Sequence, residues 1–456
     1  MAEVIALAGW PPEVLAYAYA MYSRSSLSIK ESMKKITNEK AAGFLDTFYF
    51  KYGHKSIADN AHIPLAVENV SGIVAFELED EQLWDGQERS TRYQNFDKPG
   101  AYFIPELVRH TPHEQEYCFI ADFLLEKYRQ YASACFEYLA KKYPRPENMK
   151  DADYERTLRA RAFDVARYWL FNGIITSVGQ ITNAGTLEDQ ICRLMAAEYL
   201  ETVRIAEQMK QACLSKPFCP EGKDELPVAP TLVKYVSPNG YKIRIKELMK
   251  RMVSEYLHNF MYPGAYNNYT RHVKLAYPFR SIQHEIVAGL VYEATNLTMR
   301  DIQSFINKME TGNMTWIINQ VLDLREKHDS LPRAFAHQRF TVERGFDVPR
   351  LVVEMGMSDD FSKNMKQVAS KIEQLRLVLL ANDADYLIPF AFRAGTLYKM
   401  DYRQSEYMTV LRSAPQGHFS YREVAVEMDK QLKELVPGFE RHSRVTPFED
   451  ESIFKR

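Results

Sequence analysis

Several features that would narrow the function of a chain quickly are missing here. Its five cysteines, Cys118, Cys135, Cys192, Cys213 and Cys219, form an odd, scattered set with no CxxC spacing. That argues against a disulfide framework or a structural zinc site and suits reduced thiols inside a cell. Neither a GxGxxG nor a P-loop stretch occurs, so dinucleotide-binding and nucleoside-triphosphate folds gain no support. No nucleophile elbow and no metal-ligand spacing is present, and no metal is expected. Neither sign of charge dominates: 58 Lys and Arg against 60 Asp and Glu leave a net −2, which offers no broad field for nucleic acid. No apolar run is long enough to cross a bilayer, and the apolar start lacks the basic region of a secretory leader. The expectation is a soluble, cytoplasmic protein without membrane or nucleic-acid partners.

The 456 residues are enough for several domains or a duplicated unit. Apolar residues recur at three- and four-residue spacing over 116–143, 188–213, 361–382 and 420–436, which predicts helices. Segments 63–78 and 333–355 are β-branched and aromatic with partial alternation, which predicts strands. Strands come before long helices in each half, giving an α+β chain. Residues 214–240 hold five prolines and two glycines, which marks a linker. The expected organisation is therefore a unit over 1–213, a linker over 214–240 and a second unit over 241–456. At an offset of 218 residues, "ARYWL" (166–170) falls on "ADYLI" (384–388), and Arg204 falls on Arg422.

Three polar clusters stand out. "QERSTRY" (87–93) puts Ser90 and Arg92 two residues apart, so that a hydroxyl and a guanidinium fork can reach one phosphate. An exposed polar turn is the plainer alternative for the same heptad. "YGHKS" (52–56) offers His54 and Ser56 after a glycine turn. "YRQSEYMTVLRSAPQGHFSYR" (402–422) spaces Arg403, Arg412 and Arg422 around a Pro-Gly break beside His418. A helix ending near Arg412 and another starting near Ser420 would turn these side chains into one crevice, or leave them as a basic rim.

At these residues the chain resembles the flavin-dependent thymidylate synthases. "GHKSIADNAHIPLAVENVSGIVAFELEDEQLWDGQERSTRYQNFDKPGAYFIP" (53–105) is similar to the family's central segment, with Glu88, Ser90, Arg92 and Tyr93 on its ExSxRY. "VARYWLFNGIITSVGQITNAG" (165–185) resembles VARxxLP followed by NAR, and 383–422 resembles the same region once more. The resemblance implies two tandem thymidylate-synthase-complementing-like units, with antiparallel sheet segments and long helices. It places Gln87, Glu88, Ser90, Arg92, Tyr93 and Arg167 at the substrate nucleotide, and Arg412 at the pyrimidine, polarising its carbonyl. It places His54, Ser56, Asn183, Arg403, His418 and Arg422 at the flavin. The implied reaction is flavin-dependent methylene or methyl transfer to a pyrimidine nucleotide, dUMP to dTMP or a related one. FAD would be the cofactor, with NADPH and methylenetetrahydrofolate as partners if the family reaction is kept, in a homo-oligomer built as a dimer of pseudo-dimers.

The chain also departs from the family pattern. The RHR before the substrate motif is replaced by Asp80, Glu81 and Gln82, and the first two, as carboxylates, would repel a flavin diphosphate placed as in the family. The first half has Gly185 and Leu194 where the family has arginines, and the second half has Asp385. Each half keeps what the other lacks, which implies one composite pocket of Glu88, Ser90, Arg92 and Arg167 with Arg403 and Arg412. A non-catalytic nucleotide-binding or scaffold protein built on a decayed duplicate is the second reading.

Overall fold

A computed structural model describes residues 5–447 apart from 6, 8, 24, 26, 52–54, 82, 220–225, 253–272, 274–280, 324–334, 339, 380–381, 401, 416 and 436–442. The first half opens with α1 (Pro12–Ala20), α2 (Ile29–Met33) and α3 (Asn38–Leu45), the last running into a π-helical turn over Asp46–Lys51. Strand β1 (His62–Ser71), helix α4 (Gly72–Glu79) and strand β2 (Asp85–Glu88) follow. After them come α5 (Glu114–Lys142), α6 (Asp151–Ala166), β3 (Ile175–Asn183), α7 (Ala184–Leu194) and α8 (Leu200–Leu214). The second half begins with α9 (Gly240–Met252), α10 (Ile282–Ala294), α11 (Met299–Ile306) and α12 (Thr311–Asp323). It continues through β4 (Phe335–His337), α13 (Arg350–Glu354), α14 (Ser358–Arg376), β5 (Thr396–Tyr398), α15 (Tyr402–Ser413) and α16 (Phe419–Leu435). This is the α+β chain with antiparallel sheet segments and long helices that the sequence predicts.

Strand β3 lies between β1 and β2 and pairs antiparallel with both. The strand predicted over 63–78 ends at Ser71, and the apolar run beyond it is helix α4. The reason is local: Ser71 caps that helix by accepting from the Val74 N–H at 3.3 Å, and Glu201 holds the serine hydroxyl at 2.6 Å. The strand predicted over 333–355 shrinks to β4, because its partner β5 offers only three residues to pair with and Pro349 already starts α13. The helix predicted over 188–213 breaks between Leu194 and Leu200 into α7 and α8.

One core draws on both halves: Tyr117, Tyr131 and Trp169 from the first pack with Phe361, Tyr386 and Leu387 from the second. A second core gathers β1, β3, α4, α7 and α8, together with Ala229, Leu232, Val233 and Val236 of the proline-rich stretch. Glu13 draws that stretch in by accepting from the Thr231 and Leu232 N–H groups, both at 2.7 Å. Helices α9 to α12 build a separate core around Met249, Val287, Ile302 and Val321.

Candidate functional site

The heptad 87–93 starts on β2 and leaves it in a turn. The Ser90 carbonyl accepts from the Tyr93 and Gln94 N–H groups, and its hydroxyl oxygen accepts from the Arg92 N–H at 3.3 Å. The turn aims Arg92 at Asp164 near the end of α6, with Nε to Oδ1 at 2.6 Å and Nη2 to Oδ2 at 2.9 Å. Asp164 is 1% exposed, so this forked pair lies inside the protein. One turn later Arg167 points into the same space. Burial lowers its pKa and Arg92 adds to the effect, while Asp164, Tyr168 and Glu88 oppose it. Among the described residues none hydrogen-bonds the Arg167 guanidinium. Glu88 accepts from the Thr176 hydroxyl at 3.0 Å; its carboxyl is raised by desolvation, with Thr176 and Arg167 opposing. Glu79 is pushed up to about 7 by desolvation and by Glu88.

The second half closes this space from the far side. The break between α15 and α16 is tight at Gly417, where a side chain would meet the Tyr421 ring at 2.6 Å. Arg422 fastens the two helices by donating from Nε to the Ser413 carbonyl at 2.9 Å. His418 Nδ1 accepts from the Ser420 N–H at 3.1 Å, which leaves Nε2–H to donate to the Asp164 carbonyl at 2.9 Å. That assignment makes the imidazole neutral, and burial lowers its pKa to about 4. Its ring lies over Tyr168 with centroids 6.1 Å apart. Tyr421 faces Arg92 electrostatically, and the Arg412 guanidinium sits 5.6 Å from the centre of the Tyr421 ring. Arg412 and Asp80 both act on Tyr398 from β5, in opposite senses.

The structure thus brings Glu88, Arg92 and Arg167 together with His418, and joins Arg412 to them through Tyr421. Ser90 shapes the turn, Tyr93 lies under Arg92 at 5.7 Å, and Gln87 stands exposed opposite Gly179. The residues expected at the flavin are dispersed. Asn183 uses its side-chain oxygen to cap α7, accepting from the Thr186 N–H at 2.8 Å. Ser56 is exposed, and Arg422 and His418 make the internal bonds just given. His54 and the side chain of Arg403 lie outside the described residues, as does Gln82. Glu81 does not project free charge into the site: Arg193 holds it at 3.1 Å and Glu77 at 2.9 Å. The repulsion expected from Glu81 is therefore largely neutralised.

Sequence reasoning missed Asp164, Tyr168 and Tyr421. Asp164 carried a signal, a lone carboxylate in the apolar turn "AFDVA" three residues before Arg167. The sequence profile described as "Thymidylate synthase complementing protein" matches residues 4–221 and 323–438. The chain belongs to this family. The matched stretches of the thymidylate synthase complementing family include both sides of the site and leave out 222–322, where α9 to α11 lie. The chain is 21% identical to a UPF0159 protein of Chlamydia pneumoniae over 98% of its own length and 92% of that protein's. It is 22% identical to a UPF0159 protein of Thermoplasma acidophilum, over 92% of this chain and 93% of that one. Among solved structures, it is similar to a flavin-dependent thymidylate synthase of Helicobacter pylori complexed with FAD and dUMP. There the TM-score is 0.31 and the identity 12%, over 50% of this chain and 95% of that one. It is also similar to a UMP/dUMP methylase of Streptomyces cacaoi, at TM-score 0.31 and 16% identity, over 44% of this chain and 84% of that one. Superpositions this loose add nothing to the assignment that the profile makes.

Proposed function

We propose that this family member binds a pyrimidine nucleotide by its phosphate in the composite site and transfers a one-carbon unit to the base. Arg167 carries the reading: a desolvated guanidinium beside a second arginine, bonded by no described residue, is costly until an anion meets it. Arginine's planar fork suits phosphate, and Arg92, already steadied by Asp164, adds positive charge alongside. Arg412, exposed and 5.6 Å from the centre of the Tyr421 ring, would stabilise negative charge developing on a pyrimidine carbonyl. A bound flavin would supply the hydride that methylation of this kind needs. The described residues do not fit one in the position implied by the family, since Asn183, His418 and Arg422 already serve internal bonds.

Thermal unfolding with and without dUMP tests the nucleotide. The nucleotide should raise the melting temperature of the natural protein, and Arg167→Gln should abolish that rise. Arg204→Gln, on the exposed pair with Glu106, should leave it intact. An equal response in Arg167→Gln and the natural protein would refute the phosphate role. The visible spectrum separates the chemistry: flavin bands in the purified protein support carbon transfer. A colourless protein that still responds to dUMP restricts it to nucleotide binding.

A further inference from the structure

The two units meet about a local two-fold axis. Pro389 lies 218 positions after Phe171, the offset at which the sequence repeats, and these two residues pair with each other antiparallel. On either side the Asn172 N–H donates to the Ile388 carbonyl at 3.1 Å, and the Phe390 N–H donates to the Leu170 carbonyl at 2.7 Å. Asn172 and Phe390 occupy equivalent positions, as do Leu170 and Ile388, so the two bonds are images of one another. Reciprocal pairing of this kind is what an isologous interface produces, here between two halves of one chain.

The axis also relates two side-chain clusters. Arg167 opens a 3-10 turn (Arg167–Trp169) whose Tyr168 meets His418 and Phe419 at the head of α16. Its equivalent, Asp385, lies in a 3-10 turn (Asp383–Leu387) whose Tyr386 meets Tyr199 at the head of α8, with ring centroids 5.6 Å apart. The chemistry at the two positions is inverted. Arg167 waits for an anion, whereas Asp385 is the anion. It is wholly buried, takes Arg376 Nη2 on Oδ1 at 2.6 Å and accepts the Tyr199 hydroxyl on Oδ2 at 3.0 Å. The surroundings remain polar: Arg376 Nε and Asp383 Oδ2 are buried without a hydrogen-bond partner among the described residues.

We infer that the second cluster is a closed copy of the first, in which the Asp385 carboxylate supplies from within the protein the anion that the first cluster takes from its ligand. The inference rests on the proposed function for what enters the first cluster, and on Asp385 and Arg376 for what fills the second. It follows that the full chain holds one nucleotide rather than two.

The test removes the internal anion and offers one from solution. Asp385→Ala should lower the melting temperature by about 5 °C or more, because it leaves a half-buried guanidinium with only Glu373 and the Phe340 carbonyl as partners among the described residues. Inorganic phosphate or formate should then restore part of that loss, beyond any gain that the same salt gives the natural protein. Tyr199→Phe, which keeps the carboxylate, should show no such extra recovery. If Asp385→Ala does not fold, Asp385→Ser also removes the carboxylate, leaves room for formate and serves the same comparison. A variant as stable as the natural protein, or one that no anion restores, overturns the inference. So does titration calorimetry that finds two dUMP bound per chain. A natural protein that binds no dUMP defeats the proposed function, and the anion recovery still decides the fate of Asp385.

Discussion

His418 is the residue on which pH should act through the link between the two halves. Folded, it titrates at about 4, against an ordinary 6.5, because burial, with Arg167 and Arg92 adding to it, outweighs the Asp164 carboxylate and the carbonyl that accepts its Nε2–H. Between those values the unfolded chain binds the extra proton, so stability is full above pH 6.5 and falls as pH drops toward 4. The difference amounts to about 3 kcal/mol as an order of magnitude. Glu188, raised to about 7 by burial and by Asp189, acts in the opposite sense: its contribution is full below pH 4.5 and disappears as pH rises through 7. The two overlap, so the natural profile alone cannot separate them. Urea unfolding of His418→Asn should be less stable at pH 7 yet lose much less stability between pH 6.5 and pH 4.5. Parallel profiles for the variant and the natural protein would show that the imidazole is not held neutral. The sequence singled out His418 and Arg92 but not their common partner. A carboxylate inside an apolar helix reads as an anomaly until the arginine that needs it is known.

At the scale of elements, periodicity predicted the long helices well and the strands less so. Helices α5, α14 and α16 fall where three- and four-residue spacing put them, because each buries one continuous stripe. The segment 72–79 was misread because Ile, Val and Phe suit a strand by propensity. Ser71 and the distant Glu201 decide the matter by capping, and no local pattern shows that. The break between α15 and α16 was legible in its Pro-Gly pair. What it does was not: it brings Tyr421 between Arg412 and Arg92. At Gly417 a methyl group would meet the Tyr421 ring at 2.6 Å and the Ala414 carbonyl at 3.0 Å. Gly417→Ala should therefore cost only about 1 to 2 kcal/mol of stability, since the ring can swing away. It should sharply weaken the dUMP-dependent rise in melting temperature, because that swing takes Tyr421 out of the site. An undiminished rise would show that Tyr421 does not border the ligand.

At the scale of the molecule, the repeat found at an offset of 218 residues is the same relation that sets Phe171 against Pro389, so the duplication was readable before the fold was known. Which of the two clusters stays open was only half readable, since the sequence shows Asp385 in place of an arginine but not Arg376 and Tyr199 closing on it. The same axis makes a mechanical prediction. Backbone bonds from Asn172, Gly173, Phe390 and Ala391 cross between the halves, and one aromatic core lies around them. Neither half can let go without breaking that core. Helices α9 to α12 have their own core, and among the described residues they are tied to the rest by polar links: Gln338 donates to the Tyr292 and Leu297 carbonyls, Arg344 donates to the Asn296 carbonyl, and Lys250 pairs with Glu198. Native-state hydrogen exchange in low urea should therefore show the amides of Gly173 and Phe390 exchanging only through global unfolding. Amides within α10 and α12 should exchange through a smaller opening of lower free energy. If Gly173 and Phe390 lose protection first, the halves are independent units and the shared site cannot be held together by the axis.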